Sequence, residues 1–109
     1  MSGTQTSPMK IVFIVYADVY SPGGAVVGLL DELGIDFYTR WERVKGKGHG
    51  TEAHLGTASF PAENTVLMIA FQEDASLNRL IEGIVTLNER ISRPDERIRL
   101  FQIPLERMV

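Results

Sequence analysis

The sequence predicts an α+β domain built in the order βαββαβ, and three observations carry that expectation. Two runs, MKIVFIVYA at 9–17 and TVLMIAFQ at 65–72, have the β-branched and aromatic content of strands covered on at least one face. Each is followed by a stretch with apolar residues at helical spacing, and each of those by a more mixed strand-like segment. A chain of 109 residues, 44% hydrophobic and 23% charged, is large enough for one hydrophobic core and too small for two.

The first strand is expected over Met9–Ala17. SPGGAVVGLLDELG then reads as a helix, with Ser21 as N-cap, Pro22 at the first helical position and Gly34 as the C-terminal stop. Val26, Leu29, Leu30 and Leu33 share one face, while Gly23, Gly24 and Gly28 weaken the helix locally. The segment from Ile35 to Val44 mixes aromatic and charged residues in partial alternation, the pattern of an exposed or edge strand. After the third strand, Thr65–Gln72, a second helix carries Leu77, Leu80, Ile81, Ile84 and Ile91 on one face, with Leu87 or Asn88 at its margin. Asp74 or Ser76 is its expected cap, and Pro94 marks its end. RIRLFQIPLERM supplies the last strand through Ile98, Leu100 and Ile103, with Pro104 signalling an edge or a strand end.

Two strand–helix–strand units with right-handed crossovers imply a ferredoxin-like sandwich, a four-stranded antiparallel sheet with both helices on one face. The opposite face then needs another cover. Phe13, Val15, Phe37 and Trp41 are candidates for either side, and an apolar sheet face left open by the helices implies an oligomer.

The formal charge of −3 and pI near 5.3 argue against a dedicated nucleic-acid binder. Without cysteine there are no disulfides, thiolate metal sites or cysteine nucleophiles. Residues 1–8 read as a flexible tail ahead of a single domain at 9–109. They lack the pattern of a signal peptide, and no apolar run approaches the length of a membrane span, so a cytoplasmic location without membrane insertion is expected. Catalysis has little support: no nucleophile elbow is present, and the acidic pairs Asp31–Glu32 and Glu73–Asp74 are explained by helix ends, so no enzyme is expected.

Between the second and third strands lies VKGKGHGTEAHLGTASFPAEN, far longer than a hairpin needs. Gly46, Gly48 and Gly50 permit positive φ and close backbone approach to a ligand, and Lys45 and Lys47 add charge suited to a phosphate or carboxylate. The same composition also fits a flexible linker with solvated lysines. His49, Glu52 and His54 are the right donors for a borderline divalent metal, although their spacing matches no metal motif and surface hydrogen bonding is the commoner role of two loop histidines. Thr51 and Thr57 suit either an anion or turn capping. Trp41 is expected to pack in a subunit interface.

The segment VKGKG ending the second strand, the glycine- and histidine-bearing loop, the strand in SFPAENTVLMIAF and the helix containing LNRLIEGIV together resemble the PII superfamily of signal-transduction proteins. The resemblance spans Met9–Arg107 and is most distinctive at Val44–Gly48 and around Phe60, Pro61 and Val66. It implies a homotrimer lined by its sheets, small effectors such as a nucleotide or carboxylate in the clefts between subunits, and a long loop presented to a partner protein. The effector contacts map to Lys45, Gly46, Lys47, Gly48 and His49, and the partner loop to Gly50, Glu52, His54 and Thr57. The chain also departs from the nitrogen regulators. Its loop has no tyrosine to modify, Gly50 stands where they carry a glutamine that helps govern 2-oxoglutarate binding, and ISRPDERIRLF replaces their glycine-rich phosphate loop. The positions of the arginines that follow their last strand would lie beyond Val109, apart from Arg107. The resemblance is therefore to a divergent, short-loop member. The alternative is a metal-binding or metal-sensing trimer using His49, Glu52 and His54.

Overall fold

In the computed structural model, residues 9–17, 24–46, 63–92 and 96–109 are described. Four strands, β1 (Lys10–Ala17), β2 (Thr39–Val44), β3 (Asn64–Phe71) and β4 (Arg99–Pro104), form one antiparallel sheet in the order β2-β3-β1-β4. Helices α1 (Ala25–Glu32) and α2 (Asp74–Glu89) complete the ferredoxin-like α+β arrangement. The expected tail at 1–8 lies outside the described residues.

Alternation along β1 and β3 explains the layering. Val12, Ile14 and Tyr16 pair with Ile69, Leu67 and Thr65, and these six are all buried. They form the core with Val26 and Leu30 of α1 and Leu77, Leu80 and Ile84 of α2, so both helices lie on this face. Leu29, Leu33, Ile81, Leu87 and Ile91 pack around that core, as their helical spacing predicts.

Helix α1 starts later than expected. Gly24 takes the N-cap position and no side chain caps the helix, so Ser21 is not the N-cap and Pro22 is not its first residue. The unfavourable propensity of two consecutive glycines accounts for a helix that begins only at Ala25. Its end is as expected: Gly34 has φ +71°, its amide donates to the Asp31 carbonyl (3.1 Å), and the Ile35 amide donates to that of Leu30 (2.9 Å). This pair of bonds is a Schellman motif, sealed by the burial of Ile35 and Leu30 in the same core. Ile35 is thus committed to the helix stop, and Phe37 sets its ring edge-on to Phe71 at 6.1 Å, which is why β2 begins at Thr39 rather than at Ile35.

Glu73, not Asp74 or Ser76, occupies the N-cap of α2. The Asp74 carboxylate instead pairs with the Lys10 ammonium at the start of β1. The helix ends at Glu89, and Pro94 lies outside the described residues. Asn88 does more than mark a margin. Its Nδ2 donates to the Ile98 carbonyl (2.8 Å) and its Oδ1 accepts from the Ile98 amide (2.7 Å), pinning the start of β4 to the helix. Gly83 permits close helix packing, since a Cβ there would lie 2.6 Å from Leu29 Cδ1.

Both edge assignments hold. β2 is exposed along its length and broken by a bulge between Trp41 and Val44, where Arg43 has φ 58°. In β4, the Leu105 amide donates to Met9, so alternate odd-numbered residues face β1 and Pro104 falls where an N–H would point outward from the sheet.

Replacing Gly34 with Ala places a side chain at positive φ and is expected to destabilise the fold by about 1–2 kcal/mol. Asn88→Ala, which orphans two part-buried backbone groups, is expected to cost about 2 kcal/mol. Shifts in the urea unfolding midpoint check both.

Candidate functional site

The strand directions gather several features at one end of the sheet. The C-terminal ends of β1 and β2 meet the start of β3 there, with Ala17 and Val44 both opposite Asn64. The start of β4 lies at the same end, because Arg99 is opposite Val15. The two stems of the long connection, Lys45–Gly46 and Glu63–Asn64, therefore stand side by side. Gly46 lies against the Asn64 side chain so closely that a Cβ would fall 2.6 Å from Asn64 Nδ2. Only glycine fits that contact without displacing the amide.

Of the expected effector residues, Lys45 is exposed and Gly46 half-buried at this stem. Lys47, Gly48, His49, Gly50, Glu52, His54 and Thr57 lie outside the described residues, and with them the histidine-based metal alternative, which nothing in the structure or the comparisons supports. Among the described residues, no group of three His, Asp or Glu side chains is placed to hold a metal.

On the helix side of this end, Tyr16 is buried and its hydroxyl is hydrogen-bonded to Thr65, itself buried. Burial pushes the Tyr16 phenol above its ordinary range; the Arg40 guanidinium and the Thr65 bond oppose this, while Tyr38 and Glu42 add to it. Arg40 is paired through Nε with Glu42 at 3.0 Å on the exposed edge strand.

The other face of the sheet is open. Cross-strand register places Ile103, Ile11 and Ala70 in one row, Phe101, Phe13, Met68 and Thr39 in the next, and Arg99, Val15, Val66 and Trp41 in the third. Phe101, Ile103 and Trp41 are 52%, 47% and 46% exposed, values far above those of core residues of the same kinds. Phe13, Val15 and Trp41 thus fall on the open face, whereas Phe37 packs on the other side against the core residue Phe71. Grooves of about 450 Å³ between the helices and about 390 Å³ between α2 and β4 are lined by neither Lys45 nor Gly46. No helix among the described residues is long and apolar enough to cross a membrane.

The fold has counterparts among solved structures. CPII from Thiomonas intermedia K12, bound to ADP and bicarbonate, is similar at 18% identity and a TM-score of 0.64, with 94% of this chain and 91% of that one covered. The chain has the PII-like fold. A second structure of that nitrogen regulatory PII-like protein, bound to ADP, AMP and bicarbonate, matches at 19% identity and a TM-score of 0.62 over the same shares. No protein-family model and no curated protein matches the sequence.

The raised pKa of Tyr16 has a definite sign. The unfolded phenol ionises first, so stability contributed by Tyr16 is complete below about pH 10 and falls as pH rises towards the folded pKa. Tyr16→Phe is expected to flatten that part of the alkaline decline, as measured by urea midpoints across the range.

Proposed function

We propose that this protein is a PII-like regulatory module, a homotrimer that binds a small anionic effector at its intersubunit clefts and presents the 46–64 loop to a partner protein. The observation that carries this reading is the position of the open apolar sheet face, which runs to the same end of the sheet as the Gly46 stem. Both helices cover the opposite face, so they offer it nothing. Seated against further copies, Ile11, Phe13, Phe101 and Ile103 gain the burial a single copy denies them, at about 25 cal/mol for each Å² of apolar surface. A cleft formed at that seam lies beside Lys45 and Gly46, with Lys47, Gly48 and His49 following in the chain.

The nucleotides and bicarbonate bound by the CPII structures suit the positive charge of Lys45 and Lys47, and they support a nucleotide or small carboxylate-like anion as the effector here. The protein acts by binding rather than catalysis, in the cytoplasm. Ordering a glycine-rich segment costs about 1–2 kcal/mol per residue fixed, so effector contacts at the stem govern which loop surface the partner meets. Gly50, Glu52, His54 and Thr57 supply that surface.

Sedimentation mass and thermal unfolding test the reading together. Three times the chain mass is expected at micromolar concentration, with a midpoint raised by ADP, AMP or bicarbonate, since a ligand selective for the folded assembly stabilises it. A stable monomer sinks the assembly, and silence across those anions sinks the effector.

A further inference from the structure

Three central rows of the open sheet face hold a single charge. Across these rows, Ile11, Phe13, Val15, Val66, Met68, Ala70, Phe101 and Ile103 are hydrophobic, Trp41 is aromatic and Thr39 is neutral, while Arg99 alone carries a charge. No carboxylate belongs to these rows, and Arg99 makes no ion pair among the described residues. Arg99 sits one row in from the Ala17–Asn64–Val44 row at the Gly46 stem, at the β4 end of a line that crosses Val15 and Val66 to Trp41.

In a single exposed copy this guanidinium is solvated and costs nothing. Covering the face changes its situation, because an arginine taken out of water without a counter-charge is strongly unfavourable and cannot escape by losing its proton. The apolar rows offer it no partner even when brought together in several copies. An anion from solution can supply one, and a guanidinium matches a carboxylate, bicarbonate or phosphate oxygen pair through two parallel N–H donors.

We infer that Arg99 is the anchor for a small oxyanion at the seam between copies, so that the anion completes the interface as well as occupying it. This rests on the trimeric reading above and adds the residue and the coupling: assembly is weakened by an unpaired Arg99 and strengthened when the anion arrives. Lys45, on the neighbouring stem, adds longer-range attraction to the same charge. Arg99 thus links effector occupancy to subunit association.

The test uses the whole chain with Arg99→Met, which keeps a long side chain and removes the charge, and Arg99→Lys, which keeps the charge and removes the fork. Bicarbonate alone, inorganic phosphate alone and AMP alone are the probes, read by sedimentation mass against dilution and by unfolding midpoint. Arg99→Met is expected to hold its trimer to lower concentration than the wild type without anion, and to bind the responsive anion about ten- to a hundredfold more weakly. Arg99→Lys is expected to fall between. The probe that gives the Arg99-dependent response distinguishes a planar carbonate from a phosphate group. A trimeric Arg99→Met protein with an undiminished anion response overturns the inference and leaves the proposed function standing. Dissociation of Arg99→Met also overturns it, since Arg99 then pairs with a carboxylate of another copy. A monomeric wild type removes the trimeric reading itself, and the inference with it.

Discussion

Strand β1 lies between β3 and β4, so its eight residues satisfy two hydrogen-bonded ladders and two faces at once. Because side chains alternate strictly along a strand, a slip of one residue exchanges the core set for the open-face set. Val12, Ile14 and Tyr16 belong under the helices, and Ile11, Phe13 and Val15 belong outside. The rest of the molecule follows from that register, including the positions of Arg99, Trp41 and the two stems of the long connection.

Among the described residues, three contacts at element ends support this register. The Schellman turn at Gly34 stops α1 and buries Ile35, the Lys10–Asp74 pair ties the start of β1 to that of α2, and Asn88 fastens α2 to Ile98. Lys10–Asp74 is largely exposed on the carboxylate side, so its contribution is small, about 0–1 kcal/mol. The Asn88 bonds matter more because they satisfy a backbone amide and carbonyl at a buried residue. Together these place the start of β4, and therefore Arg99, at the same end of the sheet as the Gly46 stem.

The two faces have different chemical consequences. Among the described residues, the helix-covered face has one buried polar pair, Tyr16 and Thr65, which satisfy each other. The open face leaves Phe101, Ile103, Trp41 and the Arg99 guanidinium exposed in a single copy. Regulation in such a design needs no large movement in the sheet. The Gly46–Asn64 contact holds the two stems of the long connection together at the end of the sheet.

Element order, the central character of β1 and β3, the edge character of β2 and β4, the helix faces and the stop at Gly34 were legible because each depends on a local period or a single residue's backbone preference. The helix starts were not: Ser21, Asp74 and Ser76 all have capping chemistry, but consecutive glycines delayed α1, and Asp74 found a partner 64 positions away in sequence. Asn88's double bond to Ile98, the meeting of Gly83 with Leu29, and the isolation of Arg99 on an apolar face have no local signature, since each is defined by residues the chain brings together only on folding. Sequence alone determined which segments become strands and helices. The tertiary structure decided which polar groups find partners, because desolvation and hydrogen bonding are properties of neighbours in space.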